Sequence, residues 1–339
     1  MTYILKFFKW LFYVFLGVVL LLVIIIASLI RRDIPVEKLI PIYTDETSAF
    51  FEVDGMQLHY RVEGNGPDLL LIHGTFASLH TWDDWTNYLR VDFRIIRLDL
   101  PGFGLTGPNP FNDYSTTATL HVLEKLREEV GSDAWSIAGN SLGGRIALDY
   151  ARYFPERTDK LILLNAAAGF SRPTVTDTSI VSNQTASTQR ESLTLRAINH
   201  PKFRNFLSIL TPEFAFRYSL REVYADPERI TPEQITRYYH LLRRSGNRQG
   251  FLTRNQGAFD GRPVLPALPE ATPINDSEIP MLIIWGEQDT WIPVSVGHRL
   301  HQQFPNSELV IFEDAGHVPM EEIPQATAYE TRKFLLSLD

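Results

Sequence analysis

The chain contains no cysteine. This excludes disulfides, thiol nucleophiles and Cys-ligated zinc, and it leaves the redox compartment open, because reducing and oxidising environments both tolerate the absence. No long Lys/Arg block follows residue 32, and the formal net charge is −8. Nucleic-acid affinity rests on neutralising many phosphates, so both facts argue against a nucleic-acid partner. Internal repeats, heptad arrays and metal-ligand spacings are also missing. What is present is ordinary: 44% hydrophobic and 21% charged residues, the composition of a folded globular protein. A length of 339 residues fits one large α/β domain carrying an insertion.

Charge is locally absent as well. From Trp10 to Ile30 run 21 residues without a charged side chain. As a helix they would span roughly 31 Å, close to the thickness of a bilayer's hydrocarbon core. Trp10, Phe12 and Tyr13 cluster near one end, as in an interfacial aromatic belt. The run is longer than the apolar region of a signal peptide, and no A-x-A-like site precedes Arg31. Residues 1–32 therefore read as an uncleaved, single-pass membrane anchor with its span at 10–30. Lys6 and Lys9 on one side balance Arg31 and Arg32 on the other, so the positive-inside rule selects neither orientation.

Residues 33–48, with two prolines and mixed charge, read as a linker. Folding begins near Ala49, where AFFEV and MQLHYRV flank Asp54-Gly55, the signature of a tight hairpin. Continuous apolar runs follow: LLLIH, RIIRL, WSIAG, LILLN, MLIIW and LVIF. Hydrophobicity without alternation means burial on both faces, and the helical patterns between most runs imply a parallel sheet covered by helices. The expected class is α/β. Between Asn165 and Met281 lie 115 residues, too many for a simple crossover. This interval reads as a helical cap over 170–278, leaving 49–169 and 279–339 as the core. Thr211-Pro212-Glu213 and Thr231-Pro232-Glu233 mark two helix starts, each with a threonine N-cap before proline. A Ser/Thr-rich stretch, 174–190, precedes these helices, and a proline-rich stretch, 262–280, follows them.

The stretch Gly139-Asn140-Ser141-Leu142-Gly143 matches G-x-S-x-G between a buried strand and a helical pattern, the setting of a nucleophile elbow. Gly139 and Gly143 give the clearance that lets Ser141 take a strained conformation and present its hydroxyl. A serine needs a base, and of nine histidines His317 is the choice, directly after the apolar run LVIF on a loop at the strand's carboxyl end. His73 ends LLLIH and reads as a group orienting its loop; His121, His298 and His301 sit in helical patterns. The base needs a carboxylate, and Asp289, just past MLIIW, has the right type and place, with Glu287 and Asp314 as rivals. Donors for an oxyanion are expected at the backbone N–H of Leu142 and at an N–H of the turn HGTF, Thr75 first and Phe76 next.

With HGTF, DLPGFGLTG, GNSLGG, IIWGEQD and DAGHVPMEE in this order, residues 49–338 resemble the α/β-hydrolase superfamily. The resemblance implies an eight-stranded sheet, a lid between strands six and seven, no cofactor, and hydrolysis through an acyl-enzyme. Haloalkane dehalogenases and epoxide hydrolases carry aspartate at the elbow, and Ser141 departs from both. An anchor joined to a capped hydrolase looks like the membrane-bound, monoacylglycerol lipase-like members. The expected function is thus ester hydrolysis on a small, lipophilic substrate near a membrane. A carbon–carbon bond hydrolase of the meta-cleavage type and an idle tethered scaffold are the alternatives. The cap aromatics Phe203, Phe206, Phe214, Phe216, Tyr218, Tyr238 and Tyr239 divide between packing and an apolar acyl pocket.

Overall fold

A computed structural model of the chain describes residues 2–167, 211–254, 265–272 and 279–337. Eight strands form one sheet: β1 (Ser48–Val53), β2 (Met56–Glu63), β3 (Asp68–Ile72), β4 (Arg94–Leu98), β5 (Trp135–Asn140), β6 (Thr158–Leu164), β7 (Met281–Gly286) and β8 (Glu308–Phe312). Their spatial order is β1-β2-β4-β3-β5-β6-β7-β8. The hairpin falls where expected: β1 and β2 pair antiparallel from Val53↔Met56, and Asp54 and Gly55 take φ of 51° and 75°. Two consecutive positive φ values make the primed turn that matches strand twist. The β2–β4 pairing is also antiparallel, and every pairing from β4 onward is parallel.

The apolar runs bury both faces because alternate residues point to opposite sides. Leu70, Ile72, Ile137, Leu163 and Ile283 enter one core, and Leu69, Leu71, Ala138, Ile162 and Ile284 enter the other. The helices divide accordingly. The first core takes α4 (Thr116–Glu129), α5 (Leu142–Tyr153) and α9 (Ser295–Gln303); the second takes α3 (Asp83–Leu89) and α11 (Pro324–Leu336). The short α10 (Pro319–Glu322) precedes α11.

Between β6 and β7 the described insert holds α6 (Glu213–Arg221), α7 (Pro232–Leu242) and α8 (Asn247–Thr253). Thr231 caps α7 in a full capping box with Gln234. Thr211 does not cap α6. That helix starts one residue later than its Thr-Pro pair suggests, with Pro212 at the N-cap and no side-chain bond there. Buried Leu220, Val223, Tyr224, Ile235 and Tyr238 join the insert to the second core. Phe216 packs against Tyr239 with the rings tilted and 5.5 Å apart, while Phe214 and Tyr218 face outward at 67% and 55% exposure. Phe203, Phe206, the stretch 174–190 and the expected cap ends at 170 and 278 lie outside the described residues.

At the amino end, α1 (Thr2–Leu29) contains a window, Leu5–Ile25, long and apolar enough to cross a membrane, a property shared by anchors and signal sequences. This window overlaps the charge-free run and also takes in Lys6 and Lys9. The segment expected as a linker is instead structured. It carries α2 (Val36–Tyr43), whose Leu39 is 1% exposed in a cluster with Leu105 and Leu241. Upstream, Ile34 N–H donates to Arg243 O at 2.7 Å, and Ser245 N–H donates to Ile34 O at 2.9 Å. Arg248 holds the Asp33 carboxylate at 2.6 Å. Val36, Leu39, Ile40 and Tyr43 share the helix's apolar side, but Glu37, Lys38 and Pro41 break up so short a run that the sequence pattern does not mark it.

Candidate active site

The carboxyl ends of β3, β5, β6 and β7 meet at one place. Ser141 stands between β5 and α5 with φ 53° and ψ −114°, a strained conformation for a residue with a Cβ. Three backbone bonds hold it: Ser141 N–H donates to Leu164 O at 3.0 Å, and Ser141 O accepts from Ala167 and Arg145. The glycines act by proximity. A Cβ on Gly139 would lie 2.3 Å from Gly143 O, and one on Gly143 would lie 2.0 Å from Ile72 O. The elbow is thereby nested against the end of β3. A Cβ on Gly74 would be 3.2 Å from the Ser141 Cβ, so the HGTF turn also lies against the serine.

That turn is closed by Ala77 N–H donating to Gly74 O at 3.3 Å, and Phe76 takes φ 65° within it. The N–H groups of Thr75 and Phe76 lie between the two ends of this turn. Leu142 is the first residue of α5, so its N–H is one of the donors a helix leaves unmatched at its start. Phe251 of α8 presses on the Phe76 ring at 4.4 Å, joining the insert to the turn. His73 orients this turn: Leu100 N–H donates to its Nε2 at 3.0 Å, so Nδ1 carries the proton donated to Gly74 O at 2.7 Å. Burial pushes the His73 ring's pKa down, against the pull of nearby Asp99. Asp99 braces the next loop. Burial alone would raise its pKa, but His59, at 2.8 Å, with His73 and the Leu79 N–H, holds it well below the usual carboxylate range.

His317 is 4% exposed, and its Nδ1 lies 2.7 Å from Asp289 Oδ2. A carboxylate can only accept, so Nδ1 donates, which in a neutral imidazole leaves the lone pair on Nε2. The His317 main chain is gripped on both sides: its N–H donates to Val223 O at 2.8 Å, and its O accepts Asn140 Nδ2 at 3.0 Å. Trp291 flanks the ring at 5.5 Å. Asp289 is fully buried, and donors satisfy both oxygens: Trp291 N–H at 2.7 Å and Ile292 N–H at 2.9 Å on Oδ1, Asn165 Nδ2 at 2.7 Å on Oδ2. A buried carboxylate requires such matching. Among the described residues no hydrogen bond joins Ser141 Oγ to His317. The arrangement is closed at its His317–Asp289 half, and such bonds commonly tighten only around substrate.

The rivals stand apart. Glu287 is exposed, and Asp314 is 67% exposed, 3.6 Å from Arg229. His301 bonds Ser307 and His121 faces Asp54. Two asparagines were missed by sequence reasoning. Asn140 bonds the Leu164 and His317 carbonyls. Asn165, fully buried with φ 44°, donates to Asp289 and to Gly316 O and accepts from Gly286 N–H. Their signal was a polar residue ending a wholly apolar strand, in WSIAGN and LILLN. Beside Leu142 opens a cavity of 160 Å³ lined by Tyr114, Thr116, Arg145, Asp149 and Arg254 among others. Among the described residues no three His, Asp or Glu side chains converge as a metal site.

Residues 67–324 match the family model described as the alpha/beta hydrolase fold, and the chain belongs to that family. A curated relative, a 2-hydroxy-6-oxononadienedioate/2-hydroxy-6-oxononatrienedioate hydrolase of Paraburkholderia phymatum, is 26% identical over 77% of this chain and 85% of its own. A putative lipase from Acinetobacter baumannii has a similar solved structure, with TM-score 0.68 and 25% identity over 90% of this chain and 97% of that one. A bacterial membrane phospholipase A, described as a virulence factor, is similar in fold, with TM-score 0.65 and 24% identity over 95% and 97%. The chain is therefore a hydrolase-family protein whose relatives include lipases and carbon–carbon bond hydrolases.

Proposed function

We propose that the protein is a membrane-anchored serine hydrolase that cleaves a carboxylic ester of a lipophilic small molecule through an acyl-enzyme on Ser141. The observation that carries this reading is the 2.7 Å bond from His317 Nδ1 to Asp289, set beside a serine at φ 53°. His317 Nε2 takes the Ser141 Oγ proton as Oγ bonds to the ester carbonyl carbon. The carbonyl oxygen gains the charge, held by the Leu142 and Thr75 N–H groups, with Phe76 the next donor. The C–O bond breaks, and His317 returns the proton to the leaving alcohol. His317 then takes a proton from water, whose hydroxide attacks the acyl carbon; Ser141 is released protonated with the carboxylic acid. Asp289 stays ionised and holds the imidazole. The length and apolarity of Leu5–Ile25 support the anchor. No cofactor is used in this scheme.

Hydrolysis of p-nitrophenyl butyrate by the purified chain, lost in Ser141→Ala with an unchanged melting temperature, is the test. Equal turnover in the variant would sink the reading. The Paraburkholderia phymatum relative favours carbon–carbon cleavage as a second reading. It predicts loss of the ultraviolet absorbance of a 2-hydroxy-6-oxo-dienoate and little ester turnover.

A further inference from the structure

One acidic side chain touches both the loop that carries His317 and the insert above it. Glu322, at the end of α10, is 6% exposed. Its Oε1 accepts the Gly316 N–H at 2.7 Å, and its Oε2 accepts the Ala225 N–H at 2.8 Å. Its backbone oxygen accepts from Arg229 at 3.1 Å. The insert segment that Glu322 grips runs along both catalytic loops. Val223 O accepts the His317 N–H at 2.8 Å, and Glu222 O accepts Thr290 Oγ1 at 2.8 Å, one residue past Asp289. The fit is tight, since a Cβ on Gly316 would lie 2.7 Å from both Ala225 N and Val223 O.

We propose that Glu322 is a positioning residue for the base, tying the His317 loop to insert segment 222–226 so that seating of the insert and alignment of His317 with Asp289 are one event. An ionised carboxylate binds each N–H roughly twice as strongly as a neutral acceptor. Here its two oxygens serve two different segments. A glutamine of the same shape has one acceptor and one donor end, so it keeps one N–H and turns an N–H toward the other. The inference rests on the hydrolase reading of Ser141, His317 and Asp289.

The test uses the full chain in detergent micelles, with p-nitrophenyl butyrate turnover and fluorophosphonate labelling of Ser141. Thr327→Ala serves as the stability control: it removes the bond from Trp85 Nε1 at 2.8 Å and the Thr327 Oγ1 bonds to Ile323 O and Pro324 O, but neither Glu322 carboxylate bond. Glu322→Gln is expected to lower kcat by about tenfold to a hundredfold with KM within about twofold, the cost of a base displaced by roughly an ångström. Labelling slows in parallel, while Thr327→Ala keeps kcat at a similar loss of Tm. Thr290→Val, at an exposed position that leaves the core intact, lowers kcat in the same sense and stands in if Glu322→Gln does not fold. Unchanged kcat in the folded variants, or a fall matched by Thr327→Ala, overturns the proposal. A wild-type chain that neither turns over ester nor labels overturns the hydrolase reading and the proposal with it.

Discussion

An alanine at position 143 would place its Cβ 2.0 Å from Ile72 O and 2.8 Å from His73 O. Ordinary contact begins at 3.4 Å, so the elbow and the end of β3 must separate by about 1.4 Å. The residues just past β3 are Gly74, Thr75 and Phe76, the turn that abuts Ser141, so the separation opens the donor pair proposed to hold the ester carbonyl. A misplacement of about 1 Å can cost on the order of a hundredfold in rate. Forcing one methyl into a closed contact costs about 1–3 kcal/mol of stability. In a chain of this size each kcal/mol shifts Tm by roughly 2 °C. Gly143→Ala is therefore expected to lose about a hundredfold in kcat on p-nitrophenyl butyrate and several degrees in a thermal melt. Gly131→Ala is the contrast. That glycine has φ 65° with nothing within 4 Å of a built Cβ, so it should cost stability alone and keep full kcat. Gly143→Ala with wild-type kcat and Tm would show that the elbow does not nest on β3.

Removal of residues 1–32 retains α2, whereas removal of 1–46 also strips Leu39 from Leu105 and Leu241. Exposing that leucine's partners costs about 1.5–3 kcal/mol, so the shorter chain should melt several degrees below the longer; equal Tm values would deny that α2 secures the insert. His73 supplies a pH test. Its folded pKa lies below the ordinary value, so this contribution to stability is complete above about pH 6.5 and declines as pH falls below it. The decline is at most about 1.4 kcal/mol per pH unit for one proton, and denaturant unfolding of His73→Gln should show a shallower acid slope than wild type. An identical slope would mean that His73 is not held neutral by burial.

Much of the candidate site's placement was legible in the sequence. WSIAG and GRIAL bracket Ser141 with a strand and a helix, and short-range sterics are what G-x-S-x-G encodes. MLIIWGEQD and LVIFEDAGH place Asp289 and His317 just past strands of one parallel sheet, whose carboxyl ends converge by topology. Asn165 was less legible, because an asparagine after LILL looks like a turn residue until the loop carrying Asp289, 124 positions later, lies against it. Residues 33–48 were misread as a linker for a related reason. Leu39 has apolar partners at helical spacing, Val36 and Tyr43, only within one eight-residue helix broken by Pro41, and the surface that buries it comes from Leu105 and Leu241.

What the sequence determined by itself was therefore local or periodic: the hairpin at Asp54-Gly55, the buried strands, the elbow glycines and the apolar amino-terminal run. Each depends on backbone sterics or on hydrophobic spacing within a few residues. Tertiary structure alone decided which oxygens and N–H groups meet across long separations: Asn165 on Asp289, Val223 on His317, Glu322 between Gly316 and Ala225, and Ile34 against Arg243. These are single polar contacts between distant segments. They carry no periodicity, and their partners are chosen only when the sheet order and the insert bring the segments together.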